Sequence, residues 1–538
     1  MKRFILTTLS IGLMPVLGYG QLPPLDAAVG TWMMHHGAAS LRGLQRLKGA
    51  VTGPYVKCDN FFATAEGDPI VADINGDGLN EIVMAAFDHG QVFAFRGTDC
   101  SLLWSSSISS SAYGSSSVAV GELDPTRPGL EIAVTVDATQ RLYVLSGTDG
   151  STIWSASLDD VFLSAPTIAD IDGDGIGEIF VSSSYTTYAF RGNGTLLWSY
   201  PAGYKNSLVA VGDLGNDGTL EVVFVGWDDL SREFQVFALR ATNGTLVWYY
   251  PISDVGNVAL ADLDNDGQLE VVVVYGGGGV IALRHNGSLY WQRTFLCNPS
   301  TPGDFSVHLN SPTIADLNGD GIRDVLVGCF TQEIVYALRG TDGSTIWTYS
   351  NVTSGFQNSG HKIGDIDGDG ALEVVLASYQ FGWCSSCPYH LIVLDGATGT
   401  VEWTWINPLG FGLEGLAIAD VDNDGCMEIV VGPNAAGGAR FYVFDSPTPV
   451  SDCGVLGYDD PVKVEEDRNI GGVYLLVSPV KGGVNVETGR KAFVEIYTPD
   501  GRKVKGLGVD RSAFVELKKG TYVFRVKGHN LYRTVIVR

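Results

Sequence analysis

A nine-residue acidic segment recurs along this chain, and that recurrence constrains the fold more than any other feature. Asp73-Ile-Asn-Gly-Asp77-Gly-Leu-Asn-Glu81 returns at Asp170–Glu178, Asp262–Glu270, Asp316–Asp324, Asp365–Glu373 and Asp420–Glu428. Asp213–Glu221 is a partial copy, with Gly215 at its third position, and Glu122–Glu131 is a degraded one carrying Pro125 and Arg127. The starts of the eight copies are 43 to 55 residues apart, a period at which the repeat itself decides the architecture.

Each unit has the same internal order. A short apolar run such as Pro312–Ala315 precedes the acidic loop, and a β-branched run such as Val271–Val274 follows it. Next comes an alternating run ending in a Gly/Asp turn, as in Val335–Gly343. A final segment carries Trp104, Trp154, Trp198, Trp248, Trp291, Trp347 or Trp403. Runs of this length and composition between Gly/Asn/Asp turns are strands. Four strands per unit, repeated radially, make a propeller. The expected fold is therefore all-β: an eight-bladed β-propeller of four-stranded blades over residues 52–445. The eighth unit has no Trp strand before Ser446-Pro-Thr-Pro449, while Thr52–Cys58 is an orphan strand ahead of the first loop. Val56 stands 17 residues before Asp73, within the 14 to 25 residues that separate each Trp from its next loop. The N-terminal strand is therefore expected to complete the last blade and remove an open edge.

The loops offer oxygens at positions 1, 3, 5 and 9, with Gly at position 6 to allow a sharp turn. Such a set suits a hard cation, and Ca²⁺ takes six to eight oxygen ligands. An EF-hand would need an acid at position 12, where Met84, Val181 and Val273 stand instead. The loops resemble those of FG-GAP/VCBS repeats in integrin-like propellers, over about residues 60–445. That resemblance implies Ca²⁺, about six or seven ions. The implied ligands are Asp73, Asn75, Asp77 and Glu81; Asp170, Asp172, Asp174 and Glu178; and Asp262, Asp264, Asp266 and Glu270. They continue with Asp316, Asn318, Asp320 and Asp324; Asp365, Asp367, Asp369 and Glu373; and Asp420, Asp422, Asp424 and Glu428. Asp213, Asp217 and Glu221 form a seventh, thinner set because Gly215 has no ligand atom. Proline and arginine in the Glu122 copy remove that one.

The turn-and-Trp segment Leu394–Trp403 resembles the tryptophan-docking motif of pyrroloquinoline-quinone propellers, which have eight blades. The resemblance implies a structural Trp packed between blades. The quinoproteins resembled here carry adjacent cysteines, and this chain has no Cys-Cys pair. Of eight cysteines, Cys384 and Cys387 suit a local disulfide, as the strand-to-helix setting that lowers a thiol pKa is missing. Cys426 with Cys453 and Cys297 with Cys329 can staple neighbouring loops, leaving Cys58 and Cys100. The spacing settles none of these pairings.

Residues 1–20 read as a secretory signal: Lys2 and Arg3, then an apolar run from Phe4 to Leu17, then Gly18-Tyr-Gly20. Export permits disulfides. Residues 21–51 are a lead-in and 446–470 a Pro- and acid-bearing linker. Residues 471–538 hold 13 Lys/Arg and 5 Asp/Glu, leaving 21 and 55 for the rest, so the net charge of −26 is unevenly placed. This tail reads as a small β-sandwich. It resembles the C-terminal sorting domain of type IX secretion cargo through Ser478-Pro479, Ile496-Tyr497, Asp500-Gly-Arg502 and Gly520-Thr-Tyr522. The family usually shows Asn-Pro where this chain has Ser-Pro, and an accessory immunoglobulin-like module is the alternative.

The acidic charge argues against nucleic acid or anionic membrane as the main partner, and no later run is long enough to span a bilayer. No catalytic constellation stands out. The expected function is a secreted or cell-surface calcium-binding propeller for adhesion or recognition of an extracellular protein or glycan, with secretion machinery engaging the tail. The alternative is a secreted propeller enzyme, a polysaccharide lyase or quinoprotein dehydrogenase.

Overall fold

The computed structural model describes residues 43–454 except 62–66, 87–89, 110–117, 160–162, 203–206, 229–230, 277, 295–310, 330–333, 351–356, 380–388, 410–411, 435–439, 449 and 451–452. Beyond 454 it describes seven strands between Leu475 and Val537. The signal reading of residues 1–20, the lead-in up to residue 42, Cys297, the Cys384/Cys387 segment and the linker from 455 to 470 lie outside the described residues. The chain divides into two compact units, Met1–Asp459 and Asp460–Arg538.

The first unit is an eight-bladed β-propeller of four-stranded antiparallel blades. The first blade runs Ile70–Ala72, Glu81–Ala86, Gln91–Arg96, Leu102–Ser107 from inside to outside, and the next six repeat that order along the chain. The eighth is built from Gly412–Ala419, Glu428–Asn434 and Arg440–Phe444, with Val56–Phe61 as its fourth strand. In that pairing Cys58 lies opposite Val443 and Phe61 opposite Arg440. Each innermost strand packs against the next, and the eighth against the first. The second strands are buried, as in Glu270–Tyr275, because they face a neighbouring blade on both sides, and among the described residues only the end of Glu221–Asp228 emerges. The outer strands alternate, as in Leu246–Ile252.

Adjacent blades are joined by one repeated contact. The Trp198 Nε1–H donates to the carbonyl of Ala241 in the next blade at 2.7 Å, and its ring lies on Gly244. A Cβ on Gly244, whose φ is +68°, would meet that ring at 2.8 Å, so the turn needs glycine for both its conformation and its lack of a side chain. Trp104, Trp154, Trp248, Trp291 and Trp347 make the same bond, to Gly147, Gly192, His285, Gly340 and Gly396. The docking role implied by the resemblance is thus a geometric fact at six junctions.

Two disulfides are described. Cys426 bonds Cys453, as the sequence allowed, and the two leftover cysteines, Cys58 and Cys100, bond each other. Residues 43–51, assigned from sequence to a lead-in, form parallel bridges from Leu44 to Ile363 and from Gly49 to Met427. The second unit has two antiparallel sheets. One holds Leu475–Val480, Gly483–Thr488 and Ser512–Glu516. The other is ordered Lys503–Val509, Ala492–Tyr497, Gly520–Val526, Tyr532–Val537.

Candidate metal centres

Every acidic loop joins the first and second strands of its blade, so the eight loops occupy equivalent places around the ring. Their tight shape is set by the first aspartate. In the third blade, Asp170 Oδ1 accepts the N–H of Gly173 at 2.7 Å and of Asp174 at 3.2 Å, and Oδ2 accepts that of Gly175 at 2.8 Å. The position-5 aspartate then takes the N–H two residues on, as Asp174 does from Ile176 at 2.8 Å. The Asx-type bonds hold the turn that the Gly residues permit.

The ninth residue begins the second strand and turns back into the loop. One oxygen of each accepts the N–H of position 2: Ile171 to Glu178, Leu214 to Glu221, Leu263 to Glu270, Ile366 to Glu373 and Val421 to Glu428, at 2.6 to 3.1 Å. The second oxygen of Glu270 and of Glu428 is shut off from solvent and has no hydrogen-bond partner, as are Asp264 Oδ1, Asp365 Oδ1 and Asp422 Oδ1. A buried acceptor without a donor costs free energy. A cation coordinated there would satisfy it.

In four loops the structure brings positions 1, 3 and 9 within 4.8 Å of one another: Asp170, Asp172 and Glu178; Asp262, Asp264 and Glu270; Asp365, Asp367 and Glu373; Asp420, Asp422 and Glu428. In the Asp73 and Asp316 loops, Asn75 and Asn318 stand at position 3, and each accepts the N–H of position 5. In the Asp213 loop, Gly215 leaves only Asp213 and Glu221 of that trio. The position-5 aspartates stand outside the trios, occupied with the turn. In the degraded second loop, Arg127 is 3.1 Å from Asp124 and neutralises it locally.

The electrostatics match an acid cluster suited to a cation. Burial pushes the carboxyls of Glu81 and Glu178 up to about 7, Glu270 to about 8 and Glu373 to about 9. The bond from position 2 opposes this shift, and the neighbouring aspartates add to it. Glu428 is raised well above its ordinary value for the same reasons. A divalent ion would reverse the balance by favouring the ionised form.

Sequence reasoning missed the basic side chains around these loops. Arg284 reaches Asp264 at 3.2 Å, Arg339 reaches Asp320 at 3.5 Å, and Arg240 pairs with Glu221. The signal was present: an Arg recurs just before the turn at Arg96-Gly, Arg191-Gly, Arg240-Ala, Arg284-His and Arg339-Gly.

A family model described as outer membrane protein assembly factor BamB matches residues 125–349, and one described as FG-GAP-like repeat matches residues 365–431. Protein FAM234B of Gallus gallus is 34% identical over 128 residues, covering 21% of this chain and 20% of that protein, so the chain spans about a fifth of that relative's length. Among solved structures, a europium-containing methanol dehydrogenase superposes with a TM-score of 0.55 at 14% identity, covering 78% of this chain and 99% of the other. The quinohemoprotein alcohol dehydrogenase ADHIIG of Pseudomonas putida HK5 gives 0.54 at 13%, covering 79% and 82%. The V. cholerae biofilm matrix protein Bap1 gives 0.52 at 16%, covering 78% and 92%. At these identities the likeness is one of fold. The chain is thus an eight-bladed β-propeller with a match to the FG-GAP-like repeat over residues 365–431, and its fold is like that of these three proteins.

Proposed function

We propose that this chain is a secreted or cell-surface calcium-binding propeller that recognises an extracellular protein or glycan and is not catalytic. The observation that carries the calcium part is the set of trios at Asp170, Asp262, Asp365 and Asp420, with solvent-excluded carboxylate oxygens that lack donors in the last three. Ions there would staple the first and second strands of each blade, leaving the blade faces as a rigid recognition platform. The fold likeness to a biofilm matrix protein supports the adhesive part. Two disulfides support an oxidising compartment. Within this reading Val56–Phe61 closes the ring, residues 1–20 direct export, and residues 471–538 are a sorting β-sandwich read by secretion machinery. The test is a glycan and protein binding screen of the full chain with and without Ca²⁺. Calcium-dependent capture of a defined ligand supports the proposal. Binding indifferent to calcium and to ligand identity overturns it.

The second reading is a quinoprotein enzyme, favoured by the docking tryptophans and by the fold shared with two dehydrogenases. Quinone absorbance in the purified protein, with turnover of an alcohol, would replace the first reading with this one.

A further inference from the structure

Opposite the ninth residue of each acidic loop, the next strand places one residue: an arginine in five blades, Ser146 in the second and an aspartate in the last two. Arg96, Arg240 and Arg339 lie across from Glu81, Glu221 and Asp324. Arg191 and Arg284 reach the same place one step beyond the pairs Ile179–Phe190 and Val271–Leu283. In the seventh blade the residue is Asp395, across from Glu373, and in the eighth it is Asp445, one step beyond Ile429–Phe444. These two loops therefore carry a fifth carboxylate where five others carry an arginine.

Their counter-charge arrives from the segment that precedes the first blade. Lys48 Nζ is 2.7 Å from Oδ2 of the fully buried Asp365. Lys57 Nζ pairs with Asp422 Oδ2 and, at 3.0 Å, with Asp445 Oδ2. Backbone bonds hold the segment in place: the Gly49 N–H donates to the Asp365 carbonyl at 2.7 Å, and the Met427 N–H donates to the Lys48 carbonyl at 3.0 Å. Yet Asp365 Oδ1, Asp422 Oδ1 and Glu428 Oε1 remain buried without donors. Each loop thus keeps ligand oxygens for a metal while an ammonium group sits on the other oxygen of a ligating carboxylate.

We propose that Lys48 and Lys57 are tethered counter-cations that compete with calcium at the loops of the seventh and eighth blades, weakening calcium binding at both. The inference rests on the calcium reading above. An ammonium group and a dication held by opposite oxygens of one carboxylate repel, so each weakens the other's hold, and the coupling is reciprocal. The arginines of the other blades reach their loops from a neighbouring strand at 3.2 to 3.5 Å in the Asp264 and Asp320 pairs. The two lysines are instead delivered by a segment whose docking the metal can sense.

The test is a count of bound calcium by native mass spectrometry across a calcium titration, on the full chain and on the variant with Lys48→Met and Lys57→Met. The variant should fill two additional sites at lower calcium, with affinity higher by on the order of tenfold at each, an ordinary size for coupled sites. A charge-retaining variant, Lys57→Arg, should keep the wild-type isotherm. The single Lys57→Met variant, which leaves Lys48 and its backbone bonds intact, should gain one site and covers the case in which the double variant does not fold. Identical isotherms for wild type and Lys57→Met overturn the competition while leaving the calcium reading intact. Binding of no ion by any of these proteins overturns both.

Discussion

Cys58 and Cys100 stand where six other junctions place a tryptophan and a glycine turn. Cys58 pairs with Val443 just after a register shift in its strand, as Trp198 does with Ala189 in the third blade. Cys100 has φ +58° at the turn position held elsewhere by Gly150 and Gly244. The bond between them, with Cα atoms 5.9 Å apart, joins the eighth blade to the first. A covalent link replaces ring-on-glycine docking where the strand order leaves no tryptophan.

Changing both cysteines to Ser should therefore lower stability by about 4 kcal/mol, as expected for a cross-link closing a loop of 42 residues. Urea unfolding, with and without reductant, checks this. Cys58→Trp with Cys100→Gly should recover part of the loss and become insensitive to reductant.

Gly244→Ala should destabilise the propeller by about 1–3 kcal/mol, because the new methyl group both strains a positive φ and overpacks against Trp198. The same change at Gly218, whose φ is +82° with nothing within 4 Å of a Cβ, carries the backbone strain alone and should cost less. Comparing the two denaturation midpoints separates the contributions.

Removal of calcium should lower the melting temperature, since a ligand of the native state stabilises by mass action. It should also change the response to pH. The carboxyls of Glu270 and Glu373 are raised by burial to about 8 and about 9 in the folded chain, above their unfolded value near 4.5. The folded state then holds more protons than the unfolded one between those limits, so stability of the metal-free protein falls as pH rises from about 4.5 through about 9. With calcium bound that fall should vanish. Melting curves at pH 5 and pH 8.5, in chelator and in excess calcium, measure both.

Deleting residues 21–60 should remove the fourth strand of the eighth blade, Cys58, and Lys48 with its bonds to Asp365. The exposed strand Arg440–Phe444 is then an unpaired edge, prone to pairing with other chains. Light scattering should show aggregation below the wild-type melting temperature. Full stability of the deletion would refute a closing role for this strand.

A chain ending at Asp459 retains Cys453 and should keep the calcium isotherm and melting transition of the propeller. In a host with a type IX system it should remain in the periplasm, while residues 471–538 fused to a reporter should carry it to the surface. Normal surface delivery of the shortened chain would leave the accessory-module reading of the tail.

The blades were legible because each is local. Four strands, an Asp/Gly loop and a Trp turn fall within about 50 residues, a length at which internal repeats report themselves. The acidic loops were legible for the same reason, but the gathering of positions 1, 3 and 9 without position 5 was not. What escaped was long-range. Lys48 meets Asp365, and Cys58 meets Cys100 across the ring junction, and neither pair leaves a local pattern. Gly49 looked like lead-in, yet a Cβ there would run into the Ile366 carbonyl, so its lack of a side chain lets the segment reach the seventh blade.

The pairing of Val56–Phe61 with Arg440–Phe444 has a consequence for how the chain comes into being. The earliest of these strands to be synthesised waits for almost the last. Each docking tryptophan finds its glycine turn in the blade made next, so blades can accrete in order behind the ribosome. The ring as a whole stays unfinished until nearly 400 residues beyond Val56 have emerged. Over that interval the growing assembly presents two unmated ends, and its fate depends on their meeting each other before they meet another copy.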